Sequence, residues 1–276
     1  MGHLEAYRGN VRAGLIRGDD VEAQRTQLIE QGWEQTWVSL ESGSVYTRMA
    51  GHGREQPVVL VHGFVLASDY MMPVAGALSP FCRVYAMDLP GYGRSDKPHR
   101  RLELSFLADN IAEWMDALKL RRAHFIGNSF GCQILVEFAA RYARLTERLV
   151  LQGPTVDPGA RTLLKQILRL MKNSRVESPG LGSLMLRDYW RAGWRGILAT
   201  ARMALEDRLE TKLPRVSAPT LVVRGSRDVL VSQQWAERMV QLLPRGELLV
   251  MPELAHTINY TAPVTFVEAI RPFLGL

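Results

Sequence analysis

The feature that most constrains this chain is a repeated pairing of short, unbroken apolar runs with longer amphipathic stretches. The runs are Val58–Val61, Val84–Met87, Ala123–Ile126, Leu149–Leu151, Leu221–Val223 and Leu248–Met251. An apolar run without polar alternation reads as a strand buried on both faces. The amphipathic stretches lie near 69–79, 103–119, 130–143, 232–243 and 264–274. Strands alternating with helices of this length build right-handed βαβ units, and so a mostly parallel sheet. Ahead of them, Thr36–Glu41, a turn at Ser42–Gly43 and Ser44–Met49 predict a hairpin. Residues 1–31 read as helical from the spacing of Leu4, Tyr7, Val11 and Leu15, and Gly32 ends that stretch.

The alternation breaks once. Between Leu151 and Leu221 there is helical patterning but no strand-like run. Ligands of open parallel sheets bind beyond the carboxyl ends of the strands, so an insertion leaving from such an end becomes a lid. The expected division is an N-terminal helical extension over 1–34, a core over 35–153 and 217–276, and a helical cap over 154–216. Charge marks the same segment. Residues 154–216 hold twelve Lys or Arg and six Asp or Glu, whereas the rest of the chain balances at 22 of each sign, so the net +6 belongs to the cap.

Composition narrows the class. With 276 residues and 47% hydrophobic content, the chain can bury a full core. Cys82 and Cys132 sit in apolar surroundings and suggest neither a disulfide framework nor a metal site. No charge-free apolar run reaches the ~18 residues of a membrane span. Charged residues from Glu5 to Asp20 interrupt any signal-peptide core, so a cytoplasmic location is expected. A modest basic surplus without a recognition motif argues against a nucleic-acid partner. No metal-ligand spacing or dinucleotide-binding glycine pattern is found, and no metal or cofactor is expected. Residues 1–31 could pack on the core or mediate homo-oligomer formation.

The strongest motif is Gly127-Asn128-Ser129-Phe130-Gly131. The five letters alone are weak, but here they join a buried strand to a helix, as a nucleophile elbow requires. Glycines flank the serine because the turn leaves no room for side chains. Ser129 then stands at a helix N-terminus, where free N–H groups favour developing negative charge. A serine hydroxyl needs a base. Of six histidines, His3 and His52 read as exposed, His99 lies in a polar loop, and His124 begins the strand that leads to the elbow. His62 reads as a loop-organising residue. His256 follows the last strand at the carboxyl edge and is the candidate base. Asp228 follows Leu221–Val223 at the same edge and is the candidate acid, with Asp157 as its competitor. The order Ser129, Asp228, His256 is that of a known triad arrangement. Candidate oxyanion donors are the N–H groups of Phe130, after the nucleophile, and Phe64, after the strand Val58–Val61.

Taken together, Val59-Leu60-Val61-His62-Gly63-Phe64, Asp88-Leu89-Pro90-Gly91-Tyr92-Gly93-Arg94-Ser95, the elbow, Gly225-Ser226-Arg227-Asp228 and the late histidine resemble the α/β-hydrolase superfamily. The match runs from about residue 35 to the C-terminus. It implies an α/β fold with a mostly parallel eight-stranded sheet, flanking helices and a helical cap. It also implies a serine hydrolase, since dehalogenases and epoxide hydrolases of the superfamily use an aspartate nucleophile. Gly-Asn-Ser resembles the elbow of meta-cleavage-product C–C hydrolases. Cys132 departs from the glycine usual there, and Thr257 from the tryptophan usual after the histidine. The expected reaction is carboxylic ester hydrolysis of a small-molecule substrate through an acyl-enzyme. The alternatives are C–C hydrolysis, or a ligand receptor that keeps the triad.

One pattern in the cap bears on substrate. Leu186, Trp190 and Trp194 fall on one helical stripe, and Arg187, Arg191 and Arg195 on the next. Trp190, Trp194, Arg187 and Arg191 are therefore candidate substrate-binding residues, forming an aromatic wall with cations for an acidic group. The competing reading packs the tryptophans on the core and leaves the arginines in water.

Overall fold

The computed structural model describes residues 32–52, 57–173 and 180–276, so the helix expected over 1–31 lies outside the described residues. The chain opens with a hairpin of β1 (Glu34–Leu40) and β2 (Gly43–Ala50). Gly43 pairs with Leu40, so Glu41 and Ser42 form the turn, one residue earlier than the Ser-Gly signal suggests. Gly43 has φ 119°, and a Cβ there would lie 2.9 Å from the Asp96 Cβ, so the first residue of β2 is a position that suits glycine.

The expected alternation follows. It comprises β3 (Val58–Val61), α1 (Met72–Leu78), β4 (Val84–Met87), α2 (Leu104–Ala117), β5 (Ala123–Asn128), α3 (Phe130–Arg141) and β6 (Thr146–Gln152). The insertion holds α4 (Leu163–Asn173), α5 (Leu181–Glu206) and the short α6 (Leu209–Lys212). The chain then re-enters the sheet with β7 (Thr220–Gly225), α7 (Gln233–Leu242), β8 (Gly246–Met251), α8 (Ile258–Thr261) and α9 (Pro263–Leu274). The strands form one eight-stranded sheet in the order β1-β2-β4-β3-β5-β6-β7-β8. β2 pairs antiparallel with β1 and β4, and every later pair is parallel.

Strand periodicity sorts the core into two layers. Val59, Val61, Phe125, Leu149, Leu151 and Val222 point to one face, where α2, α3 and α7 cover them. Val58, Leu60, Ile126, Val150, Leu221 and Val223 point to the other, beneath α1 and α9. β6 is longer than its apolar run because Thr146 and Gln152, both fully buried, extend it at either end. Polar anchors fix the helices on this frame. Trp114 Nε1 of α2 donates to Thr47 Oγ1 of β2 at 2.9 Å, and Ser232 Oγ caps α7 by accepting the Trp235 N–H.

The insertion is tied to the core by polar contacts. Arg48, Arg94 and Arg187 all reach the Asp69 carboxylate, at 2.6, 3.0 and 2.5 Å. Burial alone would raise the pKa of Asp69, but the three guanidinium groups outweigh it and hold the pKa below the usual carboxylate range. Thr200 of α5 shares a hydrogen bond with Tyr92, and Gln133 of α3 donates to the Ala204 carbonyl. Among the described residues, no helix is long and apolar enough to cross a membrane.

β5 also carries a titratable group that the core holds neutral. His124 is buried, and burial pushes its pKa down to about 4 despite the nearby Glu147. The unfolded chain takes up that proton below about 6.5, whereas the folded chain refuses it. The penalty is absent above that value, grows as pH falls toward 4, and is complete below it. Thermal denaturation over this window should show a falling Tm, and His124→Gln should reduce the slope. An unchanged slope would place the acid sensitivity elsewhere, His62 being the next group shifted in the same sense.

Candidate active site

The elbow sits where β5 turns into α3. Ser129 has φ 53° and ψ −117°, a backbone conformation that L-residues rarely adopt. Its two glycines are required by close approach. A Cβ on Gly131 would lie 2.6 Å from both the Val61 and His62 carbonyl oxygens, and one on Gly127 would lie 2.8 Å from Leu135 Cδ1. The turn is held by the Ser129 N–H donating to the Gln152 carbonyl at 3.0 Å. The Cys132 thiol donates toward the Gly127 and Gln152 carbonyls beneath the turn, and burial raises its pKa well above that of an ordinary thiol. Ser129 Oγ lies 3.3 Å from Thr155 Oγ1, a second hydroxyl at the site.

Asp228 and His256 meet at the same edge. β7 ends opposite β8, with Gly225 paired to Met251, so the loops beyond both strands emerge side by side. His256 Nδ1 is 2.8 Å from Asp228 Oδ2. The other carboxylate oxygen accepts the Leu230 and Val231 N–H groups at 2.8 and 3.0 Å. Burial would raise the pKa of Asp228, but His256 and these two donors outweigh it and lower it, so the group stays ionised. Asp157 is differently engaged: its carboxylate caps a turn through the Gly159 N–H and pairs with Arg169 at 3.1 Å.

Two residues beyond the expected set bind these parts together. Gln152, fully buried, accepts from Asn128 Nδ2 at 2.7 Å and donates to the His256 carbonyl at 2.5 Å. Gly153 lies against the imidazole: with φ 60°, a Cβ there would be 2.7 Å from His256 Cε1 and 3.5 Å from Asp228 Oδ2. A polar residue and a glycine directly after the apolar run of β6, at the same edge as the elbow, were the available signal for both.

The loop after β3 lies against the elbow. A Cβ on Gly63 would be 2.8 Å from Asn128 Oδ1 and 3.5 Å from Ser129 Cβ, so the Phe64 peptide starts beside the serine. His62 organises this loop. Its Nε2 accepts the Leu89 N–H at 3.1 Å, and its Nδ1 donates to the Gly63 carbonyl at 3.0 Å. Burial lowers its pKa, outweighing Asp88 and Asp188, which matches the neutral tautomer those bonds need. The rings of Phe64 and Phe130 meet edge to face at 6.5 Å, and Phe64 meets Tyr189 of α5 at 6.3 Å.

The insertion does not bring its predicted residues to this wall. Trp190 and Trp194 are 86% and 67% exposed and turn to solvent, and Arg191 is exposed beside them. Tyr189, one residue earlier, takes the inward position. Arg187 points inward but is held by Asp69 and Asp188. Two causes explain the difference. Gly193 (φ 67°, ψ 167°) breaks the helical stripe that the spacing assumes, and the buried carboxylate of Asp69 captures the one arginine that faces inward. Among the described residues, no three His, Cys, Asp or Glu side chains cluster as a metal site would need.

A model of the alpha/beta hydrolase family matches residues 58–269, most of the chain, and the chain belongs to that family. Over 260 residues it is 26% identical to the 2-hydroxy-6-oxo-2,4-heptadienoate hydrolase of Pseudomonas putida, covering 85% of this chain and 94% of that one. Carboxylesterase CesB from Bacillus subtilis has a similar structure, with a TM-score of 0.71 at 22% identity, covering 94% of this chain and 97% of that one. The meta-cleavage product hydrolase from Pseudomonas fluorescens IP01 also gives 0.71, at 24% identity, covering 90% and 98%. These two likenesses are of fold.

Gln152→Ala would remove the side-chain partner of the His256 carbonyl and leave Asn128 Nδ2 only its longer bond to the residue-152 carbonyl, at 3.4 Å. The expected cost is about 1–3 kcal/mol of unfolding free energy, read as a lower denaturant midpoint at unchanged slope. A midpoint equal to that of the parent chain would show that Gln152 bridges nothing of consequence.

Proposed function

We propose that this chain is a serine hydrolase that cleaves a carboxylic ester through an acyl-enzyme. The observation that carries the reading is the Asp228–His256 pair, 2.8 Å apart, beyond the same strand ends as a serine held at φ 53°. In this scheme Ser129 Oγ attacks the ester carbonyl carbon while His256 takes its proton. Asp228 holds the imidazole tautomer and stabilises the imidazolium. Negative charge gathers on the carbonyl oxygen, and the Phe64 and Phe130 N–H groups are the donors we assign to it. The C–O bond then breaks, and the alcohol leaves with the proton from His256. Water repeats the sequence: His256 deprotonates it, it attacks the acyl carbon, and Ser129 leaves with the proton as the acid is released.

Phe64, Phe130 and Tyr189 would offer an apolar, aromatic flank to the acyl or alcohol part of the substrate. A second reading is C–C bond hydrolysis, supported by the heptadienoate hydrolase among its relatives. It is the weaker one here, because Arg187, the arginine of the α5 stripe that faces inward, already has two carboxylates as partners. Activity on p-nitrophenyl esters of graded acyl length, measured beside a ring-cleavage dienoate, separates the two readings.

Ser129→Ala should lower kcat on the best ester by about 10³-fold or more while thermal stability holds. Asp228→Asn should lower it by about 10⁴-fold through the wrong imidazole tautomer. A fluorophosphonate probe should label the parent chain at Ser129. Near-parental turnover by Ser129→Ala would end the reading, and absence of labelling would point to a receptor with an inactive triad.

A further inference from the structure

The helix α4 is built inside out. Its polar residues Gln166, Arg169 and Asn173, at i, i+3 and i+7, are the ones turned toward the protein. Gln166 donates to the Ala160 carbonyl at 2.8 Å, and Arg169 donates to Asp157 at 3.1 Å and to the Leu230 carbonyl at 2.8 Å. The opposite arc carries Leu163, Leu164, Ile167 and Leu168, which are 44–67% exposed. An amphipathic helix on a protein that meets only water turns the other way. Polar bonds to Asp157 and Leu230 keep this one from rolling over.

Exposed apolar side chains also stand on α5, on both sides of its break at Gly193. Leu186, Trp190, Trp194 and Leu198 are 56–86% exposed. The charges that accompany both faces are predominantly basic. Lys165 and Lys172 flank the apolar arc of α4, and Arg191, Arg195 and Arg202 are exposed along α5. From residue 161 to 173 the chain has no acidic residue, and α5 has two: Asp188, buried against Arg187, and Glu206 at its last position, paired with Arg202. The Arg195 guanidinium lies 5.2 Å from the centroid of the Trp194 ring, so cation and aromatic face occupy the same spot.

We propose that the apolar faces of α4 and α5 form a docking surface for an anionic lipid bilayer, on which the protein sits as a peripheral, non-spanning guest. Charge complementarity selects this occupant. A second copy would bring the same cations against these, whereas anionic headgroups neutralise them while leucines enter the acyl boundary. Tryptophan and arginine are also the side chains suited to the headgroup level. The inference concerns binding alone and does not depend on which bond the enzyme cleaves.

The test is co-sedimentation of the full chain with vesicles of equal parts phosphatidylcholine and phosphatidylglycerol, beside vesicles of phosphatidylcholine alone. Binding is expected to the anionic vesicles, with at least about tenfold weaker partition to the neutral ones. It should also weaken at ~1 M salt, where screening acts over about 3 Å. Leu164→Glu/Leu168→Glu and Trp190→Ser/Trp194→Ser should each lower partition about tenfold or more. Both double variants change exposed positions, so circular dichroism and Tm should match the parent chain and exclude misfolding. Failure of the parent chain to bind anionic vesicles overturns the proposal, as does binding that neither double variant reduces. A parent dimer that Leu164→Glu/Leu168→Glu converts to a monomer, without vesicle binding, would assign these faces to self-association instead.

Discussion

The arrangement rests on one close approach of backbone to backbone, where the turn between β5 and α3 crosses the end of β3. Gly131 comes so near the Val61 and His62 carbonyls that no other residue would fit. The same crossing forces Ser129 into a positive-φ conformation, at a cost of about 1–3 kcal/mol. That cost is offset locally. The Ser129 N–H reaches β6, the Cys132 N–H returns to the Ser129 carbonyl, and the buried thiol of Cys132 sits below. The result is a side chain lifted out of the strand–helix connection with its backbone fully engaged, which is the physical condition for a hydroxyl to be presented.

From that turn the site is carried sideways by paired strands. β6 lies between the elbow strand and β7, and its last residue, Gln152, spans the gap in both directions. Gly153 then removes the bulk that would push the imidazole away from Asp228. The histidine is thus positioned from below by β6 and from the side by the carboxylate, although it belongs to the loop after β8. The Asp228–His256 pair can form at this edge because Gly153, which follows the intervening strand, has no side chain to stand in its way.

The insertion follows a different logic. Its junctions with the core combine buried apolar side chains, Leu184, Met203, Leu209 and Leu213 among them, with polar anchors: Asp69 gathers three arginines, Thr200 meets Tyr92, and Arg169 meets the Leu230 carbonyl. Tyr189 is the side chain it contributes to the aromatic group around Phe64. A segment seated by these buried leucines and polar anchors can turn its remaining apolar residues outward without losing its seat. That accounts for an 86% exposed Trp190.

Much of this was legible in the residue order. Unbroken apolar runs require cover on both faces, so Val58–Val61 and Ala123–Ile126 imply a helix-covered parallel sheet. A serine between glycines at a strand-to-helix junction implies a tight turn, and Asp228 and His256, each placed just after an apolar run, share the serine's edge by topology alone. Local pattern therefore determined the frame and the shared sheet edge of those three residues, where Asp228 and His256 meet. Tertiary structure alone decided what supports them and where the insertion faces. Gln152 and Gly153 matter because of groups that approach from 24 and 103 residues away in sequence, namely Asn128 and His256. Helical spacing could mark one stripe with Trp190 and Trp194 and the next with Arg187, but a stripe has no inside until something packs on it. The buried Asp69 carboxylate and the break at Gly193 set that direction, drawing Arg187 and Tyr189 in and leaving the tryptophans in water.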